Sequence, residues 1–358
     1  MRVAYLLTWS GGAWTGVFKK VVDQVAAWQR LGTDVGVFVA SDPAGAQDWV
    51  QVPQAAHVEV FASAPASFLV QRPLVDALRT WAPDITYVRT SPRHVVVAGA
   101  LANLPHVIEI QTNDLAEAKG ISRSRHLLTL ATRRRCLSSA SGLVFVSHEL
   151  AALTVYADFT PHRTVIGNGI DLSRFHTLPP TLGDAAPRLV FMGLPGRAWH
   201  GLEDIFRLAQ ARPEWTFDLI GPARADVPGL KNLHAHGELT SADYLPILRM
   251  ADAAISTLAW HVNHMSEASP LKSREYLALG LPVIGAYKDT DIPPGDPVYL
   301  QLPNRQGAIV DAVDRVELFI RGWRGKRVQH DQVAHLDTLV KERARIEFLC
   351  TCADAAAT

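Results

Sequence analysis

The chain of 358 residues has little of what marks the specialised protein classes. Its three cysteines, Cys136, Cys350 and Cys352, include no Cys-x-x-Cys pair. That excludes a disulfide scaffold and a structural zinc site, and it points to a reducing compartment. Excess charge is absent too: Lys plus Arg and Asp plus Glu stand at 35 each, so no global field favours nucleic acid. Apolar runs are short, residues 3–7 being too few for a signal peptide, and nothing approaches the roughly 20 apolar residues of a membrane-spanning helix. The expectation is a cytoplasmic chain, soluble or peripheral at the inner face of the membrane. The dinucleotide pattern Gly-x-Gly-x-x-Gly is missing, as are internal repeats and low-complexity tracts. His261 and His264 have the spacing of a ligand pair but lack the accompanying acid of a metal motif, so no metal or other cofactor is expected.

What is present is alternation. Short β-rich runs at 3–7, 35–40, 85–88, 106–110 and 143–147 are separated by helical patterns. A second series restarts at 188–193 and continues through 217–220, 232–235, 253–256 and 282–285. This pattern predicts parallel sheets built from βαβ units. Val17, Val21, Val25 and Trp28 mark one face of the first helix, which Gly32 closes. The length exceeds a usual single core, so two Rossmann-like α/β domains are expected, at 1–177 and 188–330. The stretch 178–187, Leu178-Pro-Pro-Thr-Leu-Gly-Asp-Ala-Ala-Pro187, has the composition of a linker. From 331 the chain reads as a helix to 348, with Val333, Leu336, Leu339, Val340 and Ile346 available for burial.

The most informative stretch begins at Glu267 and runs through Ala-Ser-Pro-Leu-Lys-Ser-Arg to Glu275, then Tyr-Leu-Ala-Leu-Gly280-Leu-Pro282-Val-Ile-Gly. Ser269 reads as a helix N-cap, Pro270 as the first helical residue, Gly280 as the C-terminal cap and Pro282 as the stop. Lys272 and Glu275, three apart, project on one side, while Glu267 lies in the loop feeding the helix. Two acids and a cation thus converge on a positive helix end, which favours phosphate, with carboxylates placed to accept hydrogen bonds from sugar or ribose hydroxyls.

Two acids so spaced, followed by a short helix and Gly-Leu-Pro-Val-Ile, resemble the donor-site signature of retaining GT-B glycosyltransferases, in particular glycosyltransferase family 4. Val165-Ile-Gly-Asn168-Gly169-Ile170-Asp171 with Phe175 resembles the family's domain-junction segment. Met192-Gly193 through His200-Gly201 resembles the turn that opens its second domain, and Phe217-Asp-Leu-Ile-Gly221 its next strand. The likeness spans residues 140–290, with the N-terminal third similar in pattern only. It implies a GT-B fold, two Rossmann-like domains with parallel sheets facing across a cleft, and a last helix, within 331–358, that crosses back onto the first domain. It also implies transfer of a sugar from a nucleotide-diphosphate sugar to a glycan, lipid-linked or small-molecule acceptor. By the same resemblance Glu275 holds the ribose hydroxyls, Glu267 contacts the donor sugar ring and takes part in catalysis, and Gly193, Leu271 and Lys272 line the donor site.

The turn departs from its relatives, many of which carry Arg after the first Gly and Lys before the last. Here those places hold Leu194 and His200. Phosphate charge is then expected to be met by Arg197, Lys272 and a His200 kept protonated by the anion. In the first domain Ser10-Gly11-Gly12 is a glycine-rich βα turn, Gly12 being a donor-side candidate. Asp114, past the strand at 106–110, is an acceptor or proton-accepting candidate or else a helix N-cap. Arg89 meets an anionic acceptor or a loop carboxylate. The helical run 121–137 mixes Arg123, Arg125, His126, Arg133, Arg134 and Arg135 with Leu127, Leu128 and Leu130, a pattern of anionic-lipid contact or of a solvated charged face. The same residues also suit a glycosyl phosphorylase of this fold or a non-catalytic sugar-nucleotide-binding subunit.

Overall fold

The computed structural model describes all residues except 10, 14, 42, 53–54, 56, 63–70, 90–100, 102–103, 161, 182–185, 195 and 358. Ser10 of the glycine turn and the centre of the 178–187 stretch therefore lie outside the described residues. The chain forms two compact units, Met1–Gly167 with Thr338–Thr358, and Asn168–Asp337.

The first unit holds seven parallel strands: β1 (Arg2–Thr8), β2 (Asp34–Ser41), β3 (His57–Ala62), β4 (Ile85–Arg89), β5 (His106–Ile110), β6 (Gly142–Phe145) and β7 (Arg163–Val165). Their order is β3-β2-β1-β4-β5-β6-β7. Its helices are α1 (Gly16–Arg30), α2 (Pro43–Trp49), α3 (Gln71–Trp81), α4 (Asp114–Ile121), α5 (Arg123–Ser138), α6 (His148–Ala152) and the C-terminal helix Thr338–Ala357. Residues 3–7 are buried without interruption, as a strand covered on both faces requires. Two edge strands, β3 and β7, escaped the sequence reading because one mixes polar with apolar residues and the other has three residues.

The C-terminal helix is joined to this unit by a buried polar seam as well as by apolar contact. Glu342 accepts from Gln24 Nε2 at 3.1 Å and Trp28 Nε1 at 2.7 Å, both on α1. Arg345 donates to Tyr87 OH at 2.7 Å and lies 3.7 Å from Glu109. Glu109, fully buried on β5, also pairs with Lys20 at 2.7 Å and Arg89 at 3.2 Å. Burial alone would raise its pKa, but Lys20, Arg345 and Arg89 together hold it well below the usual carboxylate range.

The second unit repeats the plan with β8 (Arg188–Met192), β9 (Thr216–Ile220), β10 (Leu233–Gly237), β11 (Ala253–Ile255), β13 (Val283–Gly285) and β15 (Tyr299–Gln301), ordered β10-β9-β8-β11-β13-β15. A separate parallel pair joins β12 (Glu267–Ala268) to β14 (Lys288–Asp289). The helices are α7 (Leu202–Ala211), α8 (Ser241–Met250), α9 (Leu271–Ala278), α10 (Ala308–Asp311) and α11 (Val313–Trp323). In both sheets the order reverses beside the first strand, at β1/β4 and β8/β11, and ligands of open α/β sheets bind outside the carboxyl ends of strands at such a point.

Two boundaries differ from the sequence reading. The second unit begins at Asn168 rather than after 177, because Asn168 N donates to Ser269 Oγ at 2.8 Å and Ile170 N to Leu336 O at 3.0 Å. The helix expected from 331 is divided: a 3-10 stretch, His330–Leu336, buries Val333 and Leu336 in the second unit, and the α-helix starts at Thr338. Asp337 between them is extended, accepts from Leu172 N at 3.2 Å and bridges Ile170. Val340, expected inside, is exposed.

Removing one member of a buried charge cluster leaves the others uncompensated. Glu109→Gln is expected to destabilise the protein by about 3–5 kcal/mol, read from urea unfolding at neutral pH. Because its folded pKa is depressed, this contribution is fully present above the ordinary carboxylate range, declines as pH falls through that range and the unfolded chain takes up the proton, and is gone once pH is below the folded value.

Candidate functional site

The second unit's switch point is built by glycines. Met192 N at the end of β8 donates to Tyr276 OH of α9 at 2.6 Å, which sets the departure of Gly193. A Cβ on Gly193 would stand 2.7 Å from the His200 imidazole and 2.6 Å from the Phe191 ring, so this close passage admits no side chain. Gly221 presses on the same turn: at φ +107° its Cβ would fall 2.0 Å from the Gly193 carbonyl oxygen. The turn's far end is fastened beyond β11, where Leu258 N donates to His200 O at 3.2 Å and Ala259 N to Trp199 O at 3.2 Å.

Against this turn lies the ammonium of Lys272, from the first turn of α9. Its Nζ is buried, stands 4.3 Å from the centroid of the Phe191 ring, and has no hydrogen-bond partner among the described residues. Burial lowers its pKa to about 7. His200, which reaches the same place, keeps a buried Nδ1 without a partner. Burial first, then the charges of Lys272 and Arg197, push the imidazole down to about 3 against the pull of a backbone hydrogen bond with Leu194. In the free protein His200 is therefore a neutral imidazole; the expectation of a His200 protonated beside a bound phosphate concerns the liganded state. Arg197 is exposed, its guanidinium 5.4 Å from the Trp199 ring centroid, and Leu194 is exposed as well.

The start of α9 differs from the sequence reading. Pro270 occupies the N-cap position, Leu271 opens the helix, and no side chain caps it. Ser269, expected as the cap, instead accepts from Asn168 N at 2.8 Å and Arg274 NH2 at 2.9 Å. An uncapped helix start beside two unpartnered nitrogen groups is an arrangement that takes up an anion. Gly280 closes α9 at φ +87°, as its place in the sequence indicates.

Lys272 and Glu275 leave the helix toward different partners. Glu275 is half-buried and accepts a short hydrogen bond from Tyr244 OH of α8. Burial and the Glu275 carboxylate both raise the pKa of that phenol, which remains a donor. Glu267 is not in a loop but on β12, buried, with the half-exposed Lys288 ammonium 3.9 Å away. Arg274, between the functional positions, is fully buried and binds Asp289 and Asp291 at 2.8 Å.

The first-unit candidates are already engaged. Gly12 O accepts from Thr15 N and Oγ1, both at 2.9 Å, at the start of α1. Arg89, at the end of β4, is the loop-side partner of Glu109 described above. Asp114 is the first residue of α4, whose N-cap is Asn113; its oxygens accept from Arg133 Nε at 2.8 Å and Tyr156 OH at 2.8 Å. Sequence reasoning missed Tyr244, Phe191 and Tyr276, since nothing local marks a side chain whose partner is a strand or helix away. Among the described residues no group of three or more His, Cys, Asp or Glu converges as metal ligands would, and no helix is long and apolar enough to cross a membrane.

Residues 14–174 match the family model described as Glycosyltransferase Family 4. No curated protein matches the sequence. Among solved structures, sucrose-phosphate synthase from Thermosynechococcus elongatus is similar with a TM-score of 0.73 at 13% identity, over 99% of this chain and 100% of that one. The lipopolysaccharide outer core galactosyltransferase WaaB gives 0.67 at 15%, over 98% and 99% of the two chains. HepE of Anabaena, solved with UDP and glucose, gives 0.66 at 19%, over 97% and 99%. Two parallel α/β units of this topology, with a family 4 match over residues 14–174, make the chain a glycosyltransferase of the GT-B fold carrying a glycosyltransferase family 4 domain.

Proposed function

We propose that the chain is a retaining, metal-independent glycosyltransferase that moves a sugar from a nucleoside diphosphate sugar to a glycan, lipid-linked or small-molecule acceptor. The observation that carries this reading is the buried, unpartnered Lys272 ammonium beside the orphan nitrogen of His200 and the uncapped start of α9. A buried lone cation opposes stability, and a diphosphate is the ligand that relieves it. Lys272 and the first peptide N–H groups of α9 hold the leaving diphosphate, His200 adds a neutral hydrogen bond, and Arg197 supplies charge from the exposed side. Glu275, oriented by Tyr244, receives the ribose hydroxyls; Glu267 contacts the sugar ring. Support for a nucleotide sugar comes also from HepE, solved with UDP-glucose. Retention of configuration rests on the likeness of the two-acid segment to retaining enzymes; Asp114 and Arg89 remain the acceptor-side candidates and Gly12 a donor-side one.

Lys272→Met should act in opposite directions on stability and on binding. Without the buried charge the free protein should melt a few degrees higher, on the order of 1 kcal/mol or more, whereas the stabilisation by UDP or GDP should vanish. Loss of both, or of neither, would count against the phosphate site. The pH dependence follows with its sign. Between about 7 and 10.5 the unfolded chain holds the Lys272 proton and the folded one does not, so this group makes the free protein more stable as pH rises across that window. Diphosphate raises the folded pKa, so calorimetric affinity should be greatest below about pH 7 and decline above it.

Glu275→Ala should abolish or strongly weaken the thermal shift by nucleoside diphosphates, while Glu267→Ala should spare it and lower turnover of the intact donor. Undiminished activity in both variants would remove the donor-site assignment. With excess chelator, transfer should continue; a complete loss restored by magnesium or manganese would overturn metal independence.

A further inference from the structure

Helix α5 carries no acidic residue from Arg123 to Ser138, in a chain whose charges otherwise balance. Its two faces differ in burial. Thr129, Arg133, Cys136 and Leu137 are buried against the first unit. Arg133 is the anchor, with Nε on Asp114 at 2.8 Å and its guanidinium over the rings of Tyr156 and Phe159 at 4.6 and 5.3 Å. The opposite face exposes Leu127 by 66%, Leu128 by 44% and Leu130 by 48%, a large apolar area left in water.

The positions of the cations on that face identify its partner. Arg123, Leu127, Leu130 and Arg134 lie at intervals of four, three and four, one straight line on a helix, and Leu128 and Arg135 lie on the adjacent line. Arg123, Arg134 and Arg135 are exposed, so arginines stand at both ends of a leucine centre over about 17 Å of helix. Exposed Lys119 on the preceding helix α4 adds a further cation. A solvated helix face has no use for three neighbouring leucines, and a phosphodiester backbone offers them nothing. A bilayer matches both parts: the leucines enter the acyl boundary while the arginines, reaching outward on their long stems, meet lipid phosphates.

We propose that α5 is a docking face for an anionic phospholipid surface, which would bring the enzyme to acceptors held in the membrane. Its test needs no nucleotide, so it fails or succeeds separately from the donor-site reading. The full chain is sedimented with vesicles of phosphatidylcholine alone and of phosphatidylcholine mixed with phosphatidylglycerol. The expected result is binding to the mixed vesicles only, weakened by salt. A variant carrying Arg123→Gln, Arg134→Gln and Arg135→Gln should partition about a hundredfold more weakly. Leu127→Ser alone, at the most exposed leucine, should weaken partitioning roughly tenfold while leaving the melting temperature and the nucleotide-induced shift unchanged. Failure of the wild type to sediment with mixed vesicles, or equal sedimentation of wild type and variants, overturns the proposal. So does a dimer in solution that Leu127→Ser converts to monomer, since the face would then be an interface between two copies of the chain.

Discussion

The guanidinium of Arg274 is the constraint on which the second unit's site depends. It is fully buried, makes paired bonds to Asp289 at 2.8 Å, and adds Asp291 at 2.8 Å, Ser269 Oγ at 2.9 Å and the Asn168 carbonyl at 2.9 Å. Burial opposes its charge, but Asp289 and Asp291 keep it firmly protonated. Three segments distant in sequence are thereby held on one planar fork: the Asn168 segment, the entry to α9, and the stretch with Asp289 and Asp291 at the end of β14. Because Ser269 is committed to this network, it cannot cap α9. The open helix start beside Lys272 is a consequence of Arg274.

Around that frame bonded and unbonded buried groups stand side by side. Arg274, Asp289, Tyr276 and the hydroxyls of Ser256, Ser273 and Tyr287 are all hydrogen-bonded inside the unit. Lys272 and His200, a few side chains away, are not. Of the buried polar atoms left without a partner, these two nitrogens stand together at the glycine turn, where one anionic ligand would meet both. The contrast with Glu109 is instructive. There three cations surround one acid and the charge is spent on joining the C-terminal helix to the first sheet, a structural use of the same chemistry. Asp114 is likewise engaged inside the first unit, its oxygens accepting from Arg133 and Tyr156.

Much of this was legible in the linear sequence, and the boundary of legibility follows the range of the forces. Strands covered on both faces announce themselves as apolar runs, Gly280 and Pro282 end α9 through backbone geometry, and Gly193 permits a close approach that no other residue allows. These are local effects. The spacing of Glu267, Lys272 and Glu275 was legible, but not that Glu275 turns to Tyr244 and Glu267 to Lys288 while the Lys272 ammonium has no partner. The short edge strands β7 and β15 were not legible, because a strand of three residues gains its stability from its neighbour in the sheet. The charge state of His200 in the free protein was not legible for a similar reason: the spacing placed the imidazole at the turn, but burial and the Lys272 ammonium lower its pKa there.

The sequence by itself determined the alternation of strands and helices, the two-unit plan, the close of α1 at Gly32 and the end of α9, and the identity of the residues at the glycine turn after β8. Periodicity, proline and glycine act within a few residues, so they can be read in order along the chain. Only the tertiary structure decided that Ser269 serves Asn168 and Arg274 rather than a helix end, that Tyr244 orients Glu275, and that Lys272 stands buried and unpaired. It also decided which side of α5 is inside, since Arg133 and Arg134 are alike in sequence and opposite in burial. Partners separated by 31 or 106 residues are chosen by packing and desolvation, which no local pattern encodes.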